Sequence, residues 1–306
     1  MEPRVVENGN HMIMTNVHSE TKTKYLNIDT RFQEEYNMND NADYTVSIPQ
    51  AIRDVQSIQL TNVEIPASFH PFSVYMKNTY FHLTIITSTT TSTTKIVTIA
   101  DGYYTEETLV DALNVNNDTN GIFIKLNENK QIIFENTTTV SDIIINFAVD
   151  ENGNTDKYNL KSKLGWCLGF RETSYEIPRK NISNTTTIVY SITSEGILNI
   201  NPCRYLFVSI DDFHSHNPNS FIVPSFQSYF DPNIISRVTL DPNNNYTYGS
   251  LITANISGSG NLLSDVRTYS GKNDIQKLRI RIFNEFGHIL HLNKMDVSFA
   301  LEIKYK

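Results

Sequence analysis

The stretch LRIRIFNEF (residues 278–286) alternates aliphatic and basic side chains along its first five positions. Successive side chains of an extended strand point to opposite faces of a sheet. One face of this strand therefore carries Arg279 and Arg281, and the other carries the aliphatic residues Leu278, Ile280 and Ile282. The pattern predicts a sheet with one face in a core and one cationic face that meets water, acidic neighbours or another molecule.

Strand-like runs extend from this stretch toward both ends of the chain. Segments rich in Val, Ile, Thr, Tyr and Phe, bounded by Asn, Asp, Gly, Pro or Ser, occur at 23–29, 43–48, 55–65, 79–86, 95–99, 121–126, 131–135, 143–149, 186–193, 204–210, 275–283 and 296–305. Such runs predict strands, and two hairpins are expected to turn at 127–130 and 284–287. We therefore predict a mainly β protein built on an antiparallel sandwich.

The last run, DVSFALEIKYK (296–306), shows the same alternation. Its apolar side chains share one face, and Ser298, Glu302 and Lys304 share the other. If this strand neighbours 275–283, Glu302 can pair with Arg279 or Arg281, at roughly 0.2–1 kcal/mol per cross-strand pair. On this interpretation the two arginines are mainly surface residues of their own sheet.

Two segments have helical features. In YTEETLVDALN (104–114), Thr105 can cap the N-terminus, acidic residues follow it, and apolar residues recur on one face. In NTDKYNLKSKLGW (154–166), Leu160 and Leu164 are four residues apart, and Gly165 lies where helices commonly end. Both segments fall among the strands of the middle third of the chain.

These helices suggest a small α+β subdomain inserted into the sandwich. We predict a flexible N-terminal arm at 1–22, the first jelly-roll strands at 23–86, the inserted α+β subdomain at 87–178 and the remaining jelly-roll strands at 179–306. The Thr/Ser run 87–95 is either an exposed connection or the part of two long strands next to their turn, because Thr is also a good strand former.

Composition restricts the class of function. The chain has 306 residues, of which 39% are hydrophobic, and a formal net charge of −8. This content suffices for a real core, while the acidic balance argues against general nucleic-acid binding. Two cysteines, Cys167 and Cys203, can form at most one disulfide, which favours a reducing compartment. No segment has the pattern of an export signal or of a membrane-spanning helix.

The strongest metal-like cluster is DDFHSH, which contains Asp211, Asp212, His214 and His216. Imidazole and carboxylate groups at this spacing can bind zinc or iron if further ligands arrive from elsewhere in the fold. The alternative is a polar exit from a strand, and we favour it because the sequence identifies no further ligand.

Catalytic patterns are weak. DENGNTD (150–156) resembles the first half of a calcium loop, but its glycine is misplaced and Lys161 stands where a bidentate Glu is required. No nucleophile elbow, kinase set or zinc-protease helix is present. We therefore predict no enzymatic activity and no cofactor.

An ordered set of segments resembles the penton and minor capsid proteins of large nucleocytoplasmic DNA viruses. The segments span nearly the whole chain and are KYLNIDTRFQEEY (24–36), ADYTVSIPQAIRDVQSIQLTNVEIP (42–66), DGYYTEETLVDALN (101–114), LGWCLGFR (164–171), RYLFVSIDDF (204–213) and YSGKNDIQKLRIRIFNEFGHILHLNKMDVSFALEI (269–303). The resemblance implies an antiparallel jelly-roll β-sandwich without a catalytic site, built into an icosahedral shell.

The resemblance also implies structural roles for the motif residues near the N-terminus. Tyr25 and Asn27 fall in the first strand. Asp29, Arg31 and Phe32 fall in the turn that leaves it.

Further motif residues lie in the middle and the second half of the chain. Trp166, the only tryptophan, is flanked by Gly165 and Gly169 and would anchor the inserted subdomain on the sandwich, with Phe170 beside it. Asp212, together with Asp211, would terminate a strand. Cys167, His214 and His216 are not part of the family pattern.

The position in the shell stays open. A single jelly roll with one insertion suits five copies around a fivefold axis, so we favour a penton, with another minor capsid position as the alternative. A carbohydrate-binding or host-attachment module is the alternative from a different class, with Tyr246 and Tyr248 as stacking platforms for a sugar. For those tyrosines we prefer an ordinary loop.

The expected partners are those of a virion protein. They are further copies of the chain as a homopentamer, the major capsid protein and other minor capsid proteins, without nucleic acid and without direct insertion into a membrane. The expected location is the virion capsid, assembled in the host cell cytoplasm. We expect subunit contacts at 214–250 and at the arm 1–22, with Arg279 and Arg281 paired within their own sheet.

Overall fold

The computed structural model describes residues 20–33, 42–115, 121–180, 190–214, 233–241, 246–258 and 260–306. The strands in these ranges are β1 Lys22–Asp29, β2 Asp43–Ile52, β3 Val55–Pro66, β4 Tyr80–Ser88, β5 Thr91–Thr98, β6 Ile122–Leu126, β7 Ile132–Asn136, β8 Asp142–Asn146, β9 Ser174–Ile177, β10 Ser191–Thr193, β11 Tyr205–Asp211, β12 Ile234–Thr239, β13 Leu251–Asn255, β14 Leu262–Ser264, β15 Val266–Thr268, β16 Ile275–Asn284 and β17 Ser298–Tyr305. The α-helices are α1 Glu106–Val115 and α2 Leu164–Cys167, and the 3-10 helices are Thr30–Phe32 and Lys157–Ser162. The mainly β, antiparallel prediction is confirmed.

Two sheets pack face to face on one apolar core. Sheet one has the strand order β1-β17-β3-β13, with β15 also paired to β3, and sheet two has the order β14-β12-β11-β16-β2. The aliphatic face of β16 and that of β17 both belong to this core. The alternation read from residues 278–286 and 296–305 is therefore confirmed.

A second core lies between β3 and β11 in the chain. It is built from a sheet of order β5-β4-β8-β9, a sheet of order β10-β7-β6 and α1. Thr105 caps α1 as predicted, since its hydroxyl accepts the N–H of Thr108 at 3.2 Å. The β6–β7 turn also forms where predicted, with the Lys130 N–H donating to the Asn127 carbonyl.

The chain passes between the two cores over very short distances in sequence. Phe69 is buried in the sandwich core and Phe72 in the second core. On the return, Ile200 packs against the second core and Cys203 lies in the sandwich core. Cys203 and Cys167 are buried on opposite sides of this boundary, and both are free.

These crossovers lie outside the interval predicted for the inserted subdomain. The sequence predicts that the strand at 79–86 belongs to the sandwich, but β4 pairs with β5 and β8, and its inward side chains join the second core. Local alternation identifies a strand without showing which sheet it joins. We therefore propose 72–200 as the bounds of the insertion in place of 87–178.

The segment read as a second helix is broken. Residues 157–162 form a 3-10 helix and α2 begins at Leu164, because Lys163 between them is extended, with φ −77° and ψ 160°. The buried Lys163 ammonium binds the Asp156 carboxylate at 2.8 Å. Gly165 thus lies inside α2 rather than after it.

The Thr/Ser run belongs to strands. β4 extends to Ser88 and β5 begins at Thr91, and the hydroxyls of Thr84 and Thr94 hydrogen-bond across the pair at 3.0 Å. The structure supports the second interpretation of residues 87–95, in which they are the parts of two long strands next to their turn.

Several short strands are not predicted from the sequence, namely β9 and β12 to β15. β12 lies inside the stretch 214–250 that is read as one long loop. Most of the proposed contact segments, namely 1–19, 215–232 and 242–245, fall outside the described residues. The contact prediction for them stays a prediction.

Candidate functional site at the junction of the two cores

The first sequence motif forms a tight turn at the end of β1. Asp29 caps the 3-10 turn, accepting the N–H of Arg31 at 3.0 Å and its guanidinium Nη2 at 2.5 Å. These hydrogen bonds from Arg31 hold the pKa of Asp29 below its usual value. The ring of Phe32 is 81% exposed. The turn therefore presents an apolar side chain on a rigid support.

Tyr25 and Asn27 lie on β1 itself, as predicted. The exposed Tyr25 hydroxyl donates to the Glu302 carboxylate of β17 at 3.0 Å. β1 faces β2 across a cleft of about 800 Å³, and Asn27 contributes to the β1 side of its lining. The hydroxyl of Tyr44, on the β2 side, is buried without a hydrogen-bond partner among the described residues.

The glycines of LGWCLGF are required by close packing. A Cβ at Gly165 would lie 2.2 Å from the Phe147 ring, and a Cβ at Gly169 would lie 2.2 Å from the Gly196 carbonyl oxygen. Gly169 also has φ +94°, a conformation that L side chains rarely adopt. Phe170 stacks on Phe134 with ring centroids 5.0 Å apart. The motif therefore packs tightly into the second core, which is the core of the insertion and is called the insertion core below.

Trp166 occupies the outer side of this motif. It is half-buried and is not part of the insertion core, in contrast to its neighbours in α2. The Arg171 guanidinium lies 4.2 Å from the centroid of its ring, and the Lys161 ammonium lies 5.8 Å away. Its predicted role as an anchor on the sandwich stays a prediction, and the structure shows a tryptophan held by two cations.

The Asp211/Asp212 segment is where the chain leaves β11. The Asp212 carboxylate is buried, accepts the hydroxyl of Tyr269 and lies 3.6 Å from the Arg267 guanidinium. Burial is the main reason why the pKa of Tyr269 is raised. The Asp211 carboxylate accepts the N–H of Phe213 at 2.9 Å.

The neighbouring histidine takes part in the same exit. His214 donates from Nδ1 to the Asp212 backbone carbonyl at 2.8 Å. His216 lies outside the described residues. Among the described residues no three His, Cys, Asp or Glu side chains are placed to share a metal ion. The geometry of Asp211, Asp212 and His214 is that of a strand exit fastened by hydrogen bonds.

Arg279, on the cationic face of β16, pairs with a residue of its own sheet. This side chain makes two hydrogen bonds of 2.8 Å to the Asp43 carboxylate of β2. The Arg281 guanidinium lies 5.8 Å from the centroid of the Phe283 ring. Pairing of either arginine with Glu302 is wrong, because β16 and β17 belong to different sheets. Strand alternation shows the face of a residue but not its sheet.

Four connections meet at the end of the sandwich that carries the insertion. Together they place five rings at the surface, of which the three tyrosines are exposed and the two histidines half-buried. We call them the junction aromatic surface: His70, Tyr75, Tyr103, Tyr248 and His291. Tyr75 and His291 stack with centroids 4.1 Å apart and planes 4° apart. Tyr103 stacks on Tyr248 at 5.4 Å, and the Tyr248 hydroxyl hydrogen-bonds to His70 at 3.0 Å.

A depression of about 140 Å³ lies in this surface. Its polar lining includes Asp101 and Asn293. The Asp101 carboxylate accepts the N–H of Val74 at 2.9 Å. The Asn293 amide donates to the Ser68 carbonyl at 2.6 Å, and its oxygen lies 3.1 Å from His291 Nδ1. Both polar groups are thus held in fixed orientations.

The two tyrosines singled out from the sequence have different environments. Tyr246 is only 5% exposed and stacks on Phe69 inside the core, so it cannot serve as a platform for a sugar. Tyr248 is 39% exposed and belongs to the junction aromatic surface. Sequence reasoning missed Tyr75 and Tyr103, because these rings come together only through the fold.

The chain is similar in structure to solved proteins, of which two are described below. No family model matches the chain, and no curated protein matches it. The chain is similar to the selenomethionine-labelled mavirus penton protein, with a TM-score of 0.39 and 10% identity over 93% of this chain and 100% of that chain. It is also similar to the 3.5 Å cryo-EM structure of the Sputnik virophage, with a TM-score of 0.43 and 13% identity over 93% of this chain and 98% of that chain.

Among the described residues, no helix is both long and apolar enough to cross a membrane.

Proposed function

We propose that this chain is a structural virion protein, the penton of an icosahedral large DNA virus, and that it acts by subunit contact without catalysis. The observation that carries the proposal is the strand order. Numbered along the chain, the eight main sandwich strands read 1-8-3-6 in sheet one and 5-4-7-2 in sheet two. This is the order of a jelly roll, interrupted by the insertion between its third and fourth strands.

The sandwich has two different lateral sides. β1 and β2 lie together on one side, where they line a common cleft, and β13, β14 and β15 lie on the other. A ring of identical subunits needs a contact between two different surfaces of the same chain. These two sides can supply such a pair.

Both sides expose large apolar side chains. Tyr25 and Phe32 are exposed on the β1–β2 side, and Leu251, Leu263 and Val266 are exposed on the opposite side. Large apolar side chains exposed on these two sides are candidates for burial against another subunit. We therefore propose that each subunit of a pentamer places its β1–β2 side against the β13–β15 side of the next.

The experiment is to determine the assembly state of the full chain by sedimentation velocity and negative-stain electron microscopy. The expected result is a ring of five chains. Phe32→Ser and Leu263→Ser should each abolish the ring, while Phe123→Ser, which changes an exposed ring of the insertion, should leave it intact. A wild-type chain that stays monomeric would contradict the penton and favour another position in the shell.

Mixing the two defective variants makes the test specific. Each retains one intact side, so an equimolar mixture should yield a heterodimer and nothing larger. A mixture that contains only monomers would show that the two sides do not contact each other.

The N-terminal arm at 1–22 is the proposed docking segment toward the major capsid protein and other minor capsid proteins, and its test removes residues 1–20. Their deletion should leave the melting temperature nearly unchanged, because β1 begins at Lys22 and pairs with β17 from there. It should reduce incorporation into virus particles, measured against the full chain by quantitative mass spectrometry. Normal incorporation of the truncated protein would rule out a docking role for the arm.

A further inference from the structure

We propose that the junction aromatic surface is a binding site for a neutral oligosaccharide. This inference goes beyond the capsid role and does not depend on it. It follows from three properties of the described residues, which are rigid exposed rings, a depression with fixed polar groups and the charge of its lining.

The rings are exposed and already ordered. Tyr75, Tyr103 and Tyr248 are all exposed, yet each is held in a stacked pair. The C–H face of a sugar ring packs flat on an aromatic face, and an aromatic ring with a polar edge can also hydrogen-bond to it. Rings that are fixed before binding lose little conformational entropy when a ligand arrives.

The depression provides the polar groups that a sugar requires. The Asp101 carboxylate can accept hydroxyl hydrogens, and Asn293 lies on the same lining. A few oriented polar groups within a mainly aromatic lining are typical of small-ligand sites. At about 140 Å³ the depression would take part of one sugar unit, and neighbouring units would lie along His70, Tyr248 and Tyr103.

The charge of the lining selects the class of sugar. The residues that line the depression include one carboxylate, Asp101, and no Lys or Arg. A sialylated or sulfated sugar would bring a second negative charge toward Asp101, which is unfavourable in a partly desolvated site. The geometry therefore points to a neutral oligosaccharide.

The test titrates the full-length protein with lactose, maltotriose, mannotriose, chitotriose and 3′-sialyllactose by saturation-transfer-difference NMR and calorimetry. At least one neutral sugar should bind in the millimolar range or tighter, and 3′-sialyllactose should bind more weakly than lactose. Binding of none of the neutral sugars would overturn the proposal, and tighter binding of 3′-sialyllactose would overturn its chemical class.

Variants locate the binding on this surface. Tyr75→Ala and Tyr103→Ala should each weaken binding by about tenfold or more, while Tyr75→Phe should retain it, because stacking needs only the ring. Asp101→Asn should weaken binding about tenfold, although its amide oxygen can still accept the Val74 N–H. Phe123→Ala is the matched control, since Phe123 is an exposed ring on β6, and it should bind as the wild type does.

Each variant is first checked for an unchanged melting temperature. Unchanged affinity in Tyr75→Ala, Tyr103→Ala and Asp101→Asn would place the sugar elsewhere and overturn the proposal. A change in sedimentation of Tyr75→Ala without any sugar binding would show instead that the surface is a contact between copies of the chain.

Discussion

The sandwich and the insertion fill their cores with different side chains. The sandwich core consists mainly of Ile, Leu and Val from two facing sheets. The insertion core is centred on four phenylalanine rings with centroids 5.0–6.4 Å apart, those of Phe81, Phe134, Phe147 and Phe170. A stack of large rings concentrates much of the buried area in few residues, so single truncations should matter more in the insertion.

The two regions also differ in how far apart in sequence their contacts lie. β17 pairs with β1, which joins the two ends of the chain, as the hydrogen bond between Tyr25 and Glu302 shows. The insertion draws its core from residues 72–200 alone. This difference teaches that the insertion can order itself from one continuous segment, whereas the sandwich needs both ends of the chain. We therefore expect two separable unfolding transitions.

The largest expected effect comes from Phe134→Ala. Loss of a fully buried ring should lower the free energy of unfolding by about 3–5 kcal/mol. Trp166 is the only tryptophan and lies in the insertion, so its fluorescence follows that region. In urea, the fluorescence transition should move to lower denaturant while most of the far-UV circular dichroism transition remains.

Leu301→Ala is the matched variant in the sandwich, since Leu301 is fully buried in β17. It should shift the circular dichroism transition and leave most of the fluorescence transition in place. If both signals move together in both variants, the two cores form one cooperative unit and the comparison fails.

A smaller effect is expected at the ion pair of Lys163 and Asp156 in the insertion. Lys163 is 1% exposed and Asp156 is 22% exposed. Asp156→Ala should cost about 3 kcal/mol, because it leaves a buried ammonium without its carboxylate. Adding Lys163→Met to this variant removes the unpaired ammonium as well and should recover most of the loss. Urea titration followed by Trp166 fluorescence measures both, and equal costs would show that the pairing is not what stabilises this turn.

Trp166→Ala should lower the free energy of unfolding by less again, about 1–2 kcal/mol. The ring is half-buried and is held mainly by the two cations, and such contacts contribute about 0.5–1 kcal/mol each at exposed sites. Calorimetry measures the change, since the variant has no tryptophan signal. Arg171→Lys should reproduce part of the loss, because Lys cannot stack its head group on the ring. A loss as large as that of Phe134→Ala would mean that Trp166 is a true core residue.

The smallest effect is a pH dependence at His82. Burial, only partly opposed by the charge of Asp150, lowers the pKa of His82 from 6.5. The unfolded chain then takes up a proton more readily than the folded one, so stability is lost as the pH falls below about 6.5. The fluorescence transition should weaken between pH 7.5 and pH 5.5, and His82→Gln should reduce this loss. An identical loss in the variant would assign it to another group.

A second histidine, His288 in the connection between β16 and β17, provides an internal comparison for the pH dependence at His82. Burial, together with the charges of Lys77 and Lys163, lowers the pKa of His288 as well. The circular dichroism transition should therefore keep its own acid sensitivity in His82→Gln.

Local periodicity accounts for the parts of the fold that could be predicted from the sequence. The two faces of β16, those of β17 and the cap at Thr105 depend on near neighbours along the chain, so the sequence is sufficient for them. Sheet membership is not local. Nothing between Phe69 and Phe72 marks a change of core, and β4 alternates as a sandwich strand would. Short strands such as β14 exist because a partner strand is present, and their own residues say little.

The candidate site shows the same limit. Gly165, Gly169 and Phe170 were identified as a motif, and their packing gives it a physical reason. Of the junction aromatic surface, the sequence points only to Tyr248, because the five rings lie in four separate connections that the folded chain brings together.

The two short crossovers suggest that the sandwich can tolerate inserted segments of different length. Each crossover takes only three residues of the chain, and of the described residues between them only Met76 belongs to the sandwich core. The entropic cost of closing a longer segment rises slowly with its length. We therefore expect the position between β3 and β11 to accept inserted domains of different size while the sandwich keeps its strand order.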